Sequence, residues 1–415
     1  MPNEGTLFRR PQPCCERATH WRSRLGIPSP SRCPKSFQPC ALHLARGPLQ
    51  SRHLVGVKLA NAPTVGGSLP SASFSAPFPF PTSMTATLAA LEIDPAAAVA
   101  RIRDALRSQL AQSLKRRGLV VGMSGGVDSS VCAALAVEAV GPKHVLGLFM
   151  PERESDPDSL RIAESFAREL GIETVTEDIS PALVGAGCYR RRNEAIRRVV
   201  PEFRDDWGCK LVLPPDRLDA DRLNVTYLVV QPPRGEMRRV RLPGPEYRQI
   251  VAASNFKQRV RTMLEYYHAD RLHYAVAGTP NRLEYDQGFF VKGGDGLADV
   301  KPIAHLYKAQ VYQLAEFLGV PTEVTSRPPT TDTFSLPQSQ EEFYYNMPTH
   351  TLDIVLHARN EGRAVSEVAT EVGFSVEQVR RAFGDIDQKR MTTRYLHLGP
   401  QLVEPVPLAH STEKV

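Results

Sequence analysis

Downstream of residue 97, apolar and polar positions follow the two periods expected of helices and strands. Apolar residues recur at close to 3.6-residue spacing from Val99 to Leu114, which predicts a helix over 97–114 with one buried face. The segment 119–123 is apolar throughout and β-branched, which predicts a strand buried on both faces. A helix and a strand therefore follow each other at the start of this region.

The alternation continues along the chain. The sequence predicts helices over 129–140, 159–170, 256–267 and 306–318, and strands over 144–150, 173–179 and 272–277. Such an order indicates an α/β, Rossmann-like fold, a doubly wound parallel sheet with right-handed crossovers. Three short helices, over 352–360, 365–371 and 376–382, predict a helical C-terminal tail.

Residues 186–250 interrupt this order. An arginine-rich helix is predicted over 189–200, and short strands over 209–213, 224–231 and 238–242, the last two joined by a turn at 232–236. We interpret the segment as an inserted antiparallel β element. Nine acidic residues lie among its arginines, so a solvated face of mixed charge is the alternative to a basic binding surface.

The first 83 residues differ from the rest in composition. They carry ten Lys and Arg against two acidic residues, which leaves 41 basic and 43 acidic residues in the remainder. The basic character of the chain therefore belongs to this leader, and the rest offers no electrostatic argument for a nucleic-acid partner. The leader is interpreted as disordered or spurious, with a transit peptide as the alternative. A single domain is predicted over 84–405, with a disordered tail over 406–415.

Four of the seven cysteines, Cys14, Cys15, Cys33 and Cys40, lie in the leader. A zinc site there is conceivable, although their spacing matches no usual zinc knuckle. The other three cysteines form no pattern, which predicts reduced thiols and a cytoplasmic protein. No apolar run reaches the roughly 18–20 residues needed to span a bilayer, so no membrane partner is predicted.

The candidate chemistry centres on the turn from Gly122 to Ser129, between a predicted strand and a predicted helix. Its small residues allow backbone N–H groups to surround an anion, and the helix start adds a positive dipole end. A carboxylate at Asp128 would repel a phosphate unless a cation lay between them, which implies Mg²⁺. The turn is not a Walker loop, since no Gly-Lys-Ser/Thr follows, and it lacks the GxGxxG of dinucleotide-binding folds.

This SGGVDSS segment resembles the loop of the PP-loop ATP pyrophosphatases, which cleave ATP between its α and β phosphates. Further motifs follow in the order typical of one family. They are Asn-Phe-Lys-Gln-Arg-Val-Arg at 255–261, Gly278-Thr279 with Glu284, GFFVKGGDGLAD at 288–299, Lys308, and Pro-Thr-Thr-Asp at 329–332. Over 118–390, apart from the insertion, the chain is similar to the NAD synthetase family of the ammonia-dependent type.

The resemblance implies an adenine nucleotide alpha hydrolase-like fold and a two-step reaction. The carboxylate of nicotinic acid adenine dinucleotide (deamido-NAD) attacks the α-phosphate of ATP and expels pyrophosphate, and ammonia then displaces AMP to give NAD⁺. Positions matching the ATP contacts are Gly122, Met123, Ser124, Gly125, Gly126, Val127, Asp128, Ser129, Thr279, Lys308 and Thr330. Positions matching the deamido-NAD contacts are Arg259, Lys292, Asp299, Gln388 and Lys389.

The resemblance also implies that Asp128 and Glu284 hold Mg²⁺, and that these two residues with Lys308 are catalytic. We expect that no structural role calls for a carboxylate at either acidic position. A homodimer is implied as well. Two-domain members of the family carry an amidase domain, which an eighty-residue leader cannot supply, so ammonia is the expected nitrogen donor.

Two alternatives remain open. The first is a PP-loop amide ligase acting on another carboxylic acid, because the departures from the family pattern (the insertion, Gly293 and Gln388) all lie on the acceptor side. The second is a nucleic-acid-binding regulator, because residues 365–381 have a helix-turn-helix pattern with Gly373 in the turn. Acidic Glu377 near the start of the second helix argues against it. From its position at the substrate edge, we expect the insertion to affect the acceptor more than ATP.

Overall fold

The computed structural model describes residues 90–214, 218, 226–331, 333–345 and 347–406. The leader predicted over 1–83 lies outside the described residues, and so does Asp332 of the last family motif. Of the tail predicted over 406–415, only the first residue is described. The sheet at the centre of the described chain is parallel. Its strands are β1 (Leu119–Gly122), β2 (Val145–Phe149), β3 (Glu173–Thr176) and, after the three strands of a second sheet described below, β7 (Ala275–Ala277).

The strand order is β3-β2-β1-β7, with every neighbouring pair parallel. The chain thus steps outward from β1 to β3 and later returns to the opposite side of β1. The order reverses between β1 and β7, and crevices at such switch points bind ligands in open α/β sheets. The predicted doubly wound α/β class is confirmed.

The helices, in chain order, are α1 (Pro95–Ser108), α2 (Val127–Val140), α3 (Pro157–Glu169), α4 (Ser180–Gly185), α5 (Cys188–Arg197), α6 (Gly244–Leu272), α7 (Arg282–Gln287), α8 (Lys308–Phe317), α9 (Thr322–Thr325), α10 (Thr349–Asn360), α11 (Val365–Val372) and α12 (Val376–His397). Helix α1 continues into a π-helical turn over Gln109–Leu114. Two helices are much longer than predicted, α6 by twelve residues at its start and α12 by fifteen at its end. The extension of α6 contains Gly, Pro, Ser and Asn, which are poor helix formers, and that of α12 is mostly polar, so neither shows a clear apolar period.

Helices cover both faces of the parallel sheet. On one face, α1, α2, α3 and α8 share an apolar core with β1, including Val121 and Leu135. On the other face, Val120 and Val276 pack with Ala269 of α6. This burial explains why β1, β2 and β7 are apolar throughout rather than at alternate positions, whereas the edge strand β3 is polar and largely exposed.

The predicted antiparallel element is present as a second sheet, the inserted sheet. It consists of β4 (Gly208–Val212), β5 (Tyr227–Gln231) and β6 (Arg238–Arg241), in the order β4-β5-β6. Its inward side chains join an apolar cluster with residues of α5 and α6. The sheet therefore emerges between two helices and has a small core of its own.

The C-terminal helices pack with one another. Val368 of α11 and Val379 of α12 lie in one buried cluster with Leu356 of α10. Gly373 ends α11 with a φ of 70°, in the left-handed region that favours glycine. The segment with the helix-turn-helix pattern thus buries its apolar faces within this bundle. Among the described residues, none of the helices combines the length and apolarity needed to cross a membrane.

Candidate functional site

The turn between β1 and α2 leaves backbone N–H groups open. Gly126 is the N-cap of α2 and makes no side-chain capping hydrogen bond, so the first turn of the helix presents N–H groups together with its positive dipole end. Gly125 has a φ of 77°, and a Cβ added there would lie 2.4 Å from the carbonyl oxygen of Ser159. This position therefore requires glycine, both for its conformation and for the close approach of α3.

Serine side chains hold the turn in shape. The Ser129 hydroxyl donates to the Gly126 carbonyl oxygen at 3.0 Å and accepts from the Ser124 N–H at 3.2 Å. The Ser130 hydroxyl donates to the same carbonyl at 3.0 Å. These bonds fix the loop without using the N–H groups of the first helical turn.

Asp128, in the first turn of α2, faces a buried lysine. Lys308 is the first residue of α8 and only 3% exposed, and its ammonium group donates to Asp128 Oδ2. Asp128 Oδ1 accepts from Asn281 Nδ2 at 3.2 Å. The N-terminal ends of two helices and one ammonium group therefore meet at one carboxylate, an arrangement suited to an anionic ligand.

Glu284 lies beside this pair in α7. Its Oε2 accepts from the N–H of Asn281 at 3.1 Å and completes a capping box, while its Oε1 accepts from Gln340 Nε2 at 3.0 Å. The expectation that no structural role calls for a carboxylate there is thus wrong, because the N-terminus of α7 uses one. Burial and the nearby Asp128 raise the pKa of Glu284 to about 8.

Asp353 of α10 was not predicted to belong to the site. Its two oxygens accept from the N–H groups of Lys308 at 3.0 Å and of Ala309 at 2.7 Å, and so cap α8 from another helix. Burial raises the pKa of this carboxyl to about 7. The sequence did contain one signal, an acidic residue within the apolar run of α10. It does not show, however, which helix this residue caps.

A cavity of about 1200 Å³ joins these residues to most of the predicted acceptor positions. It is lined by the whole turn from Gly122 to Ser129, and by Thr279, Glu284, Lys308, Thr330, Arg259, Lys292, Gln388 and Lys389. Of the predicted site residues, all within the described chain, only Asp299 lies outside it. The Asp299 carboxylate accepts from the Val276 N–H at 2.8 Å and from the Tyr266 hydroxyl at 3.3 Å, beside β7.

The two predicted acceptor lysines make intramolecular contacts at the cavity wall. Lys292 donates to the carbonyl oxygens of Tyr395 and Leu398, at 2.8 Å each, near the end of α12. Lys389 donates to the Tyr344 carbonyl at 2.8 Å. Both lysines therefore lie at the same wall because of the C-terminal part of α12. The sequence predicted this helix to end at residue 382, before the residues that make these contacts.

Two buried carboxyls were also not predicted. A Cβ on Gly122 would lie 2.3 Å from Glu265 Oε1, so Glu265 of α6 closely approaches the end of β1. Burial raises the pKa of Glu265 to about 7 and that of Asp295 to about 6, with mutual repulsion adding to the shift of Glu265. Both residues line the cavity. Glu265, in the middle of α6, gave no distinctive sequence pattern, whereas Asp295 lies within the family motif at 288–299 but was not singled out.

A buried ion cluster lies at the end of β2. Lys257 Nζ donates to Glu152 Oε1 at 2.6 Å, to Glu154 Oε2 at 2.8 Å and to the carbonyl of Thr333 at 2.7 Å. Arg192 of α5 makes two hydrogen bonds to Glu154, at 2.7 and 2.8 Å. Two positive and two negative groups thus compensate one another, and the cluster joins α5, α6 and the segment after Thr330.

The residues present fit a magnesium ion bound together with phosphates. Asp128 and Glu284 share the partner Asn281, so two carboxyl groups lie close together beside the open N–H groups of α2. Mg²⁺ is commonly bound through one or two carboxylates plus phosphate oxygens. Among the described residues no cluster of three or more His, Cys, Asp or Glu is placed to hold a metal.

Comparisons with known proteins show what this chain is similar to. The sequence model described as NAD synthase matches residues 98–195 and 237–394, more than half of the chain. The chain is similar to the "NH(3)-dependent NAD(+) synthetase" of Mesorhizobium japonicum, with 58% identity over 312 residues, 75% of this chain and 98% of that protein. It is similar to the protein of the same name from Rhizobium meliloti, with 56% identity over 316 residues, 76% of this chain and 94% of that protein.

A solved structure shows the same fold. It is that of the NMN synthetase from Francisella tularensis, with a TM-score of 0.51 and 22% identity, covering 75% of this chain and 99% of that chain. The family model leaves residues 196–236 unmatched, a stretch that contains β4 and β5. The extent of the matched sequence and the identity to these relatives lead to one conclusion: the chain belongs to the NAD synthase family.

Proposed function

We infer that the chain is an ATP-dependent amide ligase that makes NAD⁺ from deamido-NAD and ammonia. The observation that carries this inference is the cavity. It joins an anion-binding turn, with Asp128 and Lys308 at its base, to Arg259 and the basic residues near the end of α12. The names of relatives more than half identical to this chain support the same activity.

We propose that the turn from Gly122 to Ser129 binds the ATP phosphates, with Thr279 and Thr330 as further ATP contacts. The open N–H groups of α2 and the ammonium of Lys308 would stabilise the pentavalent α-phosphorus and the departing pyrophosphate. Asp128 and Glu284 would hold Mg²⁺, which neutralises the phosphate charge when bound. Arg259, Lys292, Gln388 and Lys389 line the acceptor side, and the position of Asp299 beside β7 supports a less direct part for that residue.

In the first step, a carboxylate oxygen of the acceptor forms a bond to the α-phosphorus of ATP, and the bond to pyrophosphate breaks. In the second, the nitrogen of ammonia attacks the acyl carbon and AMP leaves with the bonding electron pair, while a proton leaves the nitrogen. Adenylation is required because oxide is a very poor leaving group. Holding both substrates in one cavity makes the first attack effectively intramolecular.

The acceptor is tested by turnover. The full chain, supplied with ATP, Mg²⁺ and ammonium, is expected to form NAD⁺ and AMP from deamido-NAD, and to leave a panel of other carboxylic acids unchanged. Ammonium is expected to be required, with glutamine as a poor substitute. Rapid amidation of another acid with little NAD⁺ formed would instead support the other PP-loop amide ligase.

We further propose a homodimer in the cytoplasm. Met263 and Tyr267 of α6 and Met391 of α12 are large, exposed apolar side chains, which support a subunit interface. Cys132, Cys188 and Cys209 are buried free thiols, as is usual in a reducing compartment. Light scattering in solution is expected to give twice the mass of one chain.

A further inference from the structure

The inserted sheet contacts the loop that carries Thr330. We call residues 327–331 and 333–343 the Thr330 loop. Strand β4 is an edge strand of the inserted sheet, and edge strands leave backbone groups free to pair with another segment. In this chain the Thr330 loop uses those groups. The Leu336 N–H donates to the Cys209 carbonyl at 3.3 Å, and the Leu213 N–H donates to the Glu342 carbonyl at 3.0 Å.

Side chains strengthen this attachment. Lys210 Nζ, on a side chain only 12% exposed, donates to the Pro337 carbonyl at 3.1 Å and to Glu342 Oε2 at 2.8 Å. The Cys209 N–H donates to the Ser335 hydroxyl at 2.9 Å. The Gln338 amide donates to the Leu211 carbonyl. Four consecutive loop residues are therefore hydrogen-bonded to the edge of β4.

Apolar contacts add to these bonds. Phe334 is buried in the cluster of the inserted sheet, where Phe343 also packs. Leu336 is buried against Val212 and Val229, and a Cβ on Gly208 would lie 2.5 Å from its Cδ2. The core of the inserted sheet is thus partly formed by the Thr330 loop itself. Separating the two would expose apolar surface on both.

The other parts of the Thr330 loop contact the phosphate side of the cavity. Arg327, near its start, donates to the Ser159 hydroxyl at 3.2 Å, next to the close contact of Ser159 with Gly125. Gln340, near its end, donates to Glu284 at 3.0 Å. The backbone of Thr330 pairs with Ser339 as an antiparallel bridge, so the two limbs of the loop move together. A shift of the loop on β4 would therefore displace Thr330 and Gln340 as one unit.

We propose that the inserted sheet is a positioning element for the ATP side of the site, with β4 holding the Thr330 loop in its nucleotide-contacting place. Lys210 and Leu336 are the positioning residues. This inference rests on the proposed ATP role of Thr330. It revises the expectation that the insertion affects the acceptor more than ATP, because the hydrogen bonds of β4 described above connect to the loop of the ATP side.

The test compares two loosened variants with one control. Lys210→Met removes two hydrogen bonds to the loop and keeps side-chain length, whereas Leu336→Ala removes the apolar contact. Arg238→Gln on β6 is the control, because Arg238 is half exposed and pairs with Glu202 at 2.6 Å. Both loosened variants are expected to accelerate amide exchange over 333–343, to raise the Kd of a non-hydrolysable ATP analogue about tenfold, and to leave the Kd of deamido-NAD within about twofold.

Three results would overturn the proposal. The first is unchanged amide exchange in both variants, since β4 would then not hold the loop. The second is faster exchange with an ATP-analogue Kd equal to that of Arg238→Gln. The third is an equal loss of affinity for deamido-NAD. Thermal midpoints confirm folding of each variant, and Lys210→Arg is expected to restore ATP affinity. Binding and exchange need no turnover, so a chain that failed to make NAD⁺ would refute the proposed function while this test still gave its answer.

Discussion

Asp128 shows how one side chain combines two requirements at the residue scale. Its position in the first turn of α2 places a carboxylate at the positive end of a helix, and its contact with Lys308 places a cation against it. In the proposed ATP site, that lysine and Mg²⁺ would together supply the positive charge that phosphates at the same helix end require. The carboxylate would then arrange this positive charge around the phosphates.

Asp128→Asn is expected to lower kcat/KM for ATP by about 10²–10³, because the charge that would hold Mg²⁺ against the phosphates is lost while size and shape are kept. Initial rates of AMP release measure the loss. The matched control is Asp158→Asn, a first-turn carboxylate of α3 that is 71% exposed and ion-paired with Arg161. Near-parent rates for Asp128→Asn would contradict the proposed role.

The raised pKa of Glu284 predicts that the binding of magnesium with a nucleotide depends on pH. With its pKa raised from a usual value near 4.5 to about 8, this carboxyl is mostly protonated at pH 7 in the ligand-free chain and must release its proton to bind Mg²⁺. Calorimetry of Mg²⁺ with an ATP analogue, in buffers of different ionisation heat, is expected to show proton release at pH 7 that disappears at pH 9 and in Glu284→Gln. Identical heats in all buffers for the parent chain would contradict this.

The raised pKa of Glu284 also determines how its contribution to stability changes with pH. The folded chain holds this proton more tightly than the unfolded chain, so the contribution of Glu284 to stability is full below pH 4.5. It is lost as the pH rises toward 8. The thermal midpoint of Glu284→Gln is therefore expected to fall less over that range than that of the parent chain.

At the scale of elements, α8 depends on a cap from α10. Asp353→Ala removes the acceptor of both the Lys308 and Ala309 N–H groups, and is expected to cost about 1–3 kcal/mol of stability. Because the helix start then loosens around Lys308, kcat/KM for ATP is expected to fall about tenfold, with partial recovery in Asp353→Asn.

The control for this prediction is Ser375→Ala, which removes the side-chain cap of α12 through Gln378. It is expected to lower stability by about 1 kcal/mol without affecting the kinetics of ATP. Denaturant unfolding and steady-state rates on the same preparations separate the two effects. Equal kinetic losses in both variants would mean that Asp353 acts only through global stability.

The sequence predicted best those elements whose apolar residues follow one clear spacing along the chain. Strands β1 and β2 and the parallel α/β class followed from apolar runs and from the alternation of helices and strands, and the turn after β1 followed from its small residues. The strand order was not predicted. The full length of α6 was not predicted either, because this helix faces the parallel sheet, α5 and the cavity in turn. Asp353, Glu265 and the cluster around Lys257 also escaped, because each depends on contacts between elements distant in sequence.

At the scale of the whole molecule, the predicted leader is expected to be dispensable. Its Pro-, Ser- and Arg-rich sequence lacks the apolar content for a core, whereas Leu91 is already buried in the C-terminal helical cluster. Deleting residues 1–83 is expected to leave the thermal midpoint and the rate of NAD⁺ formation unchanged. A loss of stoichiometric zinc, or a clear drop in the midpoint, would contradict this prediction.

The apolar core shared by the inserted sheet and the Thr330 loop implies that the two change together among related proteins. An insertion between two helices that already pack together costs little loop-closure entropy, so the fold can tolerate the presence or the absence of such a sheet. Loss of the inserted sheet would affect the Thr330 loop, because Phe334, Leu336 and Phe343 would then face water. Relatives without the sheet are expected to carry polar residues at these three positions, so that insertion and loop change together as one inherited unit.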